Sequence, residues 1–312
     1  MPARYGFLGP HGTFAHAALR SMPAADDAEL VPFATVTQAI DAVRAARVDG
    51  ALVPLENSIE GAVPATLDEL AGGSEPLVIV AETYLPVLFD LLARPGTTLA
   101  DVTTVATHPH AEAQVRRFLL DALPDAAVTL LGSTAAGAAA VAGAEFDAAV
   151  APPIAGELYG LDVLAHDIAD HVGAVTRFVL LCRPLPPPPR TGNDRTTVVA
   201  YLREDHSGAL LEILTEFSMR GVNLTRIESR PTKAGLGQYC FSIDCEGHID
   251  DARVGDAVAA VQRICADVRF LGSYVRADGR QGPVPIGRTD VAFADAAAWL
   301  TRIRADGRDT SD

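Results

Sequence analysis

Hydrophobic positions follow two periods along the first 183 residues. Short apolar runs of strand type occur at Ala51-Leu52-Val53, Leu77-Val78-Ile79-Val80, Thr103-Thr104-Val105-Ala106, Val128-Thr129-Leu130-Leu131 and Ala148-Ala149-Val150. Between them lie stretches of helical spacing. Val36, Ala39, Ile40 and Val43 share one helix face behind Thr35 as N-cap, and further helices are predicted over 111–121, 134–143 and 153–159. This alternation predicts an α/β fold with mostly parallel sheets.

The pattern breaks at Arg183-Pro184-Leu185-Pro186-Pro187-Pro188-Pro189-Arg190, because consecutive prolines can join neither a helix nor a central strand. We divide the chain there into a domain over 1–183, a Pro-rich linker over 184–194 and a domain over 195–276. The later part reads β-α-β-β-α-β. Its strands are Thr196 to Leu202, Leu224 to Ser229, Gln238 to Cys245 and Val268 to Val275. One helix carries Leu210, Leu211, Ile213, Leu214 and Phe217 and stops at Gly221; the other carries Val254, Val258, Val261 and Cys265. That is the ferredoxin-like split βαβ pattern. A tail over 277–312 has a turn at Gly282-Pro283-Val284-Pro285, an amphipathic helix over 292–305 and an end, Asp306 to Asp312, expected to be disordered.

Charge narrows the partners. The formal net charge of −15 repels phosphate backbones and anionic lipid, which argues against nucleic acid and membrane surfaces. The N-terminus has no apolar core of signal-peptide type and no run is long enough to span a bilayer, so a cytoplasmic location is expected. Cys182, Cys240, Cys245 and Cys265 lack metal-ligand spacing and read as reduced. His108-Pro109-His110 has no third ligand nearby and the chain has no dinucleotide fingerprint, so no metal and no cofactor is expected.

Candidate chemistry sits in ordered motifs. Val175-Thr176-Arg177-Phe178 places a hydroxyl, a permanent cation and an aromatic ring at the start of an apolar strand. Upstream are Gly9-Pro10-His11-Gly12-Thr13-Phe14, Val53-Pro54-Leu55-Glu56-Asn57-Ser58-Ile59-Glu60-Gly61, Tyr159-Gly160-Leu161 and Ile168-Ala169-Asp170. Downstream are Gly208-Ala209-Leu210 and Glu228-Ser229-Arg230-Pro231. In this order the motifs resemble the prephenate dehydratase family with its regulatory ACT domain, over roughly residues 4 to 276.

The resemblance implies a fold, a reaction and a set of residues. The fold would be a two-lobed catalytic domain of periplasmic-binding-protein type, the second lobe about 77–160, followed by an ACT domain. The reaction would be decarboxylating dehydration of prephenate to phenylpyruvate, with L-phenylalanine as allosteric inhibitor and a homodimer or homotetramer as the assembly. Aromatisation drives such a step, so the protein need only anchor two carboxylates, help hydroxide leave and exclude water. Thr176 is the candidate donor to the leaving hydroxyl, Arg177 the carboxylate clamp and Phe178 the ring wall. Each also has an ordinary reading: a strand residue, a surface ion pair, a core side chain. Thr13, Asn57, Ser58, Ser133 and Thr134 are candidate substrate ligands, although Thr13 and the Ser133-Thr134 pair also suit helix caps. Asn57 and Ser58 are expected at a strand-to-helix turn, with Glu56 holding the loop. Ala15 and Ala174 depart from the family's usual polar residues at those positions.

For the effector, the resemblance nominates Gly208, Ala209, Leu210, Asn223, Leu224, Glu228, Ser229, Arg230 and Pro231, at an interface between neighbouring subunits. Glu228 and Arg230 also suit a local ion pair. Two other functions stay open on sequence: arogenate dehydratase, with the same chemistry on the transaminated substrate, and a non-catalytic amino-acid sensor.

Overall fold

The computed structural model describes residues 2–73, 75–233, 235, 238–280 and 282–306. They form two compact units, one within 2–66 and 83–183 and the other within 67–82 and 184–306. Residues 307–312, most of the expected disordered end, lie outside the described residues.

The first unit has two lobes, each built on one sheet. β1 (Arg4–Leu8), α1 (Phe14–Arg20) and β2 (Glu29–Phe33) open the first lobe; α2 (Val36–Arg44) then returns the chain to β3 (Gly50–Asn57) on the other side of β1. β2 is the sheet edge, where its Pro32 is tolerated. β4 (Gly61–Ala62) folds back on β3; α3 (Pro64–Gly72) and β5 (Val78–Pro86) follow, their residues 67–82 belonging to the second unit. The second lobe runs through β6 (Asp90–Ala93), β7 (Thr104–Thr107), α4 (Pro109–Gln114), α5 (Arg116–Ala122), β8 (Ala127–Leu130), α6 (Thr134–Ala142), β9 (Ala148–Ala151), α7 (Pro153–Tyr159) and β10 (Asp162–Ala165). The chain then re-enters the first sheet as β11 (Val175–Cys182), beside β3.

Four expectations need correction. β1–β2, β1–β3, β7–β8 and β7–β9 are parallel, but other pairs among the described residues are antiparallel, so the first two sheets are mixed. Strands that carry the chain between lobes have no helical crossover, so β11 pairs antiparallel with β3 and β6 antiparallel with β9 and β10. The second sheet starts at β6 rather than at 77, because β5 belongs to the first sheet, next to β11. The predicted helix over 111–121 is two helices, since buried Val115 (φ −125°, ψ 17°) leaves helical geometry between α4 and α5. The turn after β3 leads to a strand, β4, and not to a helix.

The second unit is the expected βαββαβ. β12 (Asp194–Tyr201), α8 (Ala209–Met219), β13 (Leu224–Pro231), β14 (Tyr239–Glu246), α9 (Ala252–Ile264) and β15 (Asp267–Val275) form a sheet ordered β13-β14-β12-β15 with two helices, and α10 (Asp290–Asp306) follows. No helix or strand is assigned from Arg183 to Asn193, across the proline run. Val198, Ala200, Phe241 and Ile243 of the sheet pack on Ile213, Phe217, Val254 and Val261 of the helices. Thr197, Arg226 and Asp244 are buried as well, as a hydrogen-bonded polar cluster. The Arg226 guanidinium meets both Asp244 oxygens at 3.0 Å, and Thr197 Oγ1 donates to Oδ1 at 2.8 Å. Removing one partner strands a buried charge, so Asp244→Ala is expected to destabilise the protein by about 3–5 kcal/mol, read by denaturant unfolding. A loss under about 1 kcal/mol would mean the cluster contributes little. Among the described residues no helix is long and apolar enough to cross a membrane.

Candidate active site

A cavity of about 330 Å³ opens between the two lobes, within the size range of small-molecule sites. Phe14, Pro54, Val63, Val87, Phe89 and Phe178 supply apolar wall. Phe14 of the first lobe meets Phe89 of the second edge-on at 5.2 Å. Polar groups enter from Thr13, Asn57, Glu60, His108, His110, Gln114, Ser133, Thr134 and Thr176.

The register of β3 against β11 explains how the central pair meets. Thr176 lies opposite Asn57 and Phe178 opposite Pro54, so β3 carries one extra residue between these pairs. With strict alternation, residues 54 and 57 would face opposite sides of the sheet. The bulge brings both to the cavity with Thr176 and Phe178. Asn57 is fixed in orientation, because its Oδ1 accepts from Ile59 N at 2.8 Å and Glu60 N at 3.1 Å. Its Nδ2 must then be the donor to Thr176 Oγ1, at 2.9 Å. A hydroxyl that accepts here keeps its own proton free to donate.

Other sequence candidates fall differently. Arg177 does not line the cavity. It is 2 % exposed, alternates to the opposite face, and its Nη1 meets Glu56 Oε1 at 3.0 Å. Its ordinary reading was a surface ion pair; the pair is instead buried on the arginine side, and Glu56 lies within β3 rather than on the loop. Ser58 is also outside the cavity, because its Oγ accepts from Val175 N at 2.9 Å and ties the turn to β11. Thr13 lines the cavity, yet its proton goes to Leu8 O (2.9 Å) while its oxygen caps α1 by accepting from His16 N (3.3 Å). Ser133 caps α6 by accepting from Ala136 N at 3.0 Å. Thr134 follows it, 8 % exposed and facing the cavity. Ala15 presents a methyl to the cavity.

Sequence reasoning missed Glu60 and Gln114. Glu60, on the turn between β3 and β4, accepts from Gln114 Nε2 at 3.0 Å and faces His110 Nδ1 at 3.1 Å, so it bridges to α4 of the second lobe. The signal was the i,i+4 spacing of His110 and Gln114, which puts them on one helix face. His108 caps α4 through Nδ1, taking His110 N at 3.3 Å. Burial, then His110, lowers its pKa, so it is neutral at pH 7. Among the described residues no group of three or more His, Cys, Asp or Glu side chains is arranged to hold a metal.

Effector candidates sit at both ends of α8. Gly208 caps its start with φ +95°, and open space lies where a side chain would be. Asn223 and Leu224 line another cavity past its far end, with Phe217, Gly221 and Pro285. The eleven residues of α8 separate these groups by about 16 Å. Arg230, on β13 with Glu228, Ser229 and Pro231, pairs with Asp68 at 2.6 Å rather than with Glu228.

Comparison with known proteins agrees with the motif order. Residues 5–185 match the prephenate dehydratase family and residues 196–262 the ACT domain. The chain is 51 % identical over 305 residues to the prephenate dehydratase of Amycolatopsis methanolica, covering 97 % of this chain and 98 % of that one. The chain belongs to the prephenate dehydratase family. Among solved structures it is similar to the prephenate dehydratase of Arthrobacter aurescens in complex with L-Phe, at 49 % identity and a TM-score of 0.91, covering 97 % of this chain and all of that one (100 %). It is also similar to GqqA, described as a novel type of quorum-quenching acylase, at 31 % identity and a TM-score of 0.78, covering 89 % and 100 %. The family reading thus extends over both units.

Proposed function

We propose that this chain converts prephenate to phenylpyruvate in the cavity between its lobes and that phenylalanine inhibits it through the ACT unit. The observation that carries the reading is the oriented Asn57–Thr176 hydrogen bond facing an apolar wall. As the ring carboxylate leaves as carbon dioxide, its bonding pair enters the ring and the ring C–O bond breaks. Negative charge then develops on the departing hydroxyl oxygen. The free Thr176 O–H can donate to that oxygen, and Phe14, Phe89 and Phe178 keep bulk water away. The cavity lining contains no Lys or Arg among the described residues, so this reading assigns the carboxylates to backbone amides. The start of α6 supplies them. Its first amides lack helical partners, and the Thr134 hydroxyl lies beside them.

Prephenate is favoured over arogenate. Glu60 is the one carboxylate residue lining the cavity among the described residues, and it already faces His110 and Gln114. An incoming ammonium would have to displace them. The test is phenylpyruvate formation from prephenate by the purified protein, beside arogenate and with and without phenylalanine. No turnover of prephenate would refute the reading and favour the sensor alternative.

The effector site forms between copies of the chain, the N-terminal end of one α8 facing Asn223 and Leu224 of another. An interface of this kind brings together the two groups that one chain holds apart, and it requires at least a dimer, by this reading in the cytoplasm. Gly208→Asp is a sharp probe, because any side chain strains the backbone at φ +95° and this one sets a negative charge beside the amides a carboxylate would use. It is expected to raise the half-inhibitory phenylalanine concentration at least tenfold; an unchanged value would place the effector elsewhere.

A further inference from the structure

Thr13, Phe14 and Ala15 form one wall of the cavity, and a buried histidine outside that lining holds the loop that leads into them. His16 is 6 % exposed, on the first turn of α1. Its main-chain N–H donates to Thr13 Oγ1, and its ring Nδ1 accepts from Gly12 N at 3.1 Å. This reciprocal arrangement follows the logic of a capping box, with an imidazole in the role usually taken by Glu or Gln. A backbone N–H can only donate, so Nδ1 carries the lone pair and Nε2 the proton. Nε2 lies 3.4 Å from His11 Nδ1, and the Phe7 ring stacks on the imidazole at 5.1 Å. Burial first, then His11 and Arg20, pull its pKa down to about 4, so the lone pair is available at pH 7.

Gly12 explains why the anchor matters. Its φ is +89°, and a side chain there would come within 3.3 Å of Ala135 Cβ and 3.4 Å of Tyr159 Cε2, both in the second lobe. The loop is therefore the point where the two lobes approach beside the cavity, and small shifts of it move Phe14 against Phe89.

We propose that His16 is a positioning residue for the dehydratase reaction, its neutral imidazole fixing the Gly12 amide and through it the Thr13–Ala15 wall. The proposal rests on the reading of the cavity as the prephenate site. It separates His16 from a residue that merely fills the core, because only one of its two ring nitrogens is required.

Two isosteres distinguish the nitrogens. In His16→Asn the amide oxygen falls near the Nδ1 position and can still accept from Gly12. In His16→Gln the amide reaches the Nε2 position and loses Gly12. We expect the Asn variant to keep KM for prephenate within about threefold of wild type and the Gln variant to raise it about tenfold, with kcat of both within about threefold. Exchange of the Gly12 amide with solvent, measured by NMR on the full chain, should quicken at least tenfold in the Gln variant only. Equal KM and equal exchange in the two variants overturn the anchor. Quickened exchange with unchanged KM also overturns the proposal, but through the cavity reading: the loop would be anchored as described and not touch substrate. If the Asn variant fails to fold, the wild-type imidazole ¹⁵N shifts decide, since a protonated Nδ1 at pH 7 overturns the anchor by itself.

Discussion

Thr176→Val, which removes the hydroxyl and keeps the shape, is expected to lower kcat by about a hundredfold or more with KM for prephenate nearly unchanged. The two methyl-sized branches of Val fit where Thr176 is 9 % exposed on β11, so backbone and neighbouring walls are retained. What is lost is one O–H aimed at the position where the leaving oxygen gathers charge. A donor that acts only as charge develops contributes to kcat and not to ground-state binding. Steady-state kinetics of phenylpyruvate formation read the split directly. A kcat within threefold of wild type would return Thr176 to an ordinary strand residue.

Much of this arrangement was legible in the sequence, and the limits have physical causes. Periodicity located β3, β7, β9, α2, α6 and the whole βαββαβ unit, because each carries a full apolar stripe. It missed β2, whose Pro32 reads as a breaker and is permitted only by the edge position. It missed β6 because Asp90, 2 % exposed, puts a charged residue at the head of a four-residue buried strand. The motif order pointed to Thr176, Phe178 and Asn57, all of which meet in the cavity. The resemblance, with a twist at the strand end, placed Arg177 at the ligand; the strand instead keeps its alternation, and Glu56 takes Arg177 on the opposite face. Ser58 differs for a subtler reason. Its hydroxyl is spent on Val175 N, a cross-strand pairing 117 residues away in sequence that no local pattern reveals. Glu60 was invisible for the same reason, since its partners His110 and Gln114 belong to the other lobe.

Reversing the polarity of the central hydrogen bond should be as damaging as deleting the hydroxyl. Asn57→Asp preserves the shape and the acceptor for Ile59 N and Glu60 N, so the turn stays anchored. In place of Nδ2 it sets a carboxylate oxygen 2.9 Å from Thr176 Oγ1. Thr176 must then donate to the carboxylate, and its proton no longer points at substrate. The added charge also repels a dianion, so KM should rise while kcat falls by about a hundredfold or more. The sign of the pH dependence follows from which form donates. An aspartate of ordinary pKa, about 4, is charged at pH 7 and harmful; protonated, it can donate to Thr176 again. Activity of the variant relative to wild type should therefore climb as pH falls from 7 toward 5. A double-mutant cycle isolates the mechanism. If Asn57 acts through Thr176, adding Asn57→Asp to Thr176→Val should reduce kcat little further. Fully additive losses would mean that Asn57 touches the substrate itself, and the polarity argument would fall.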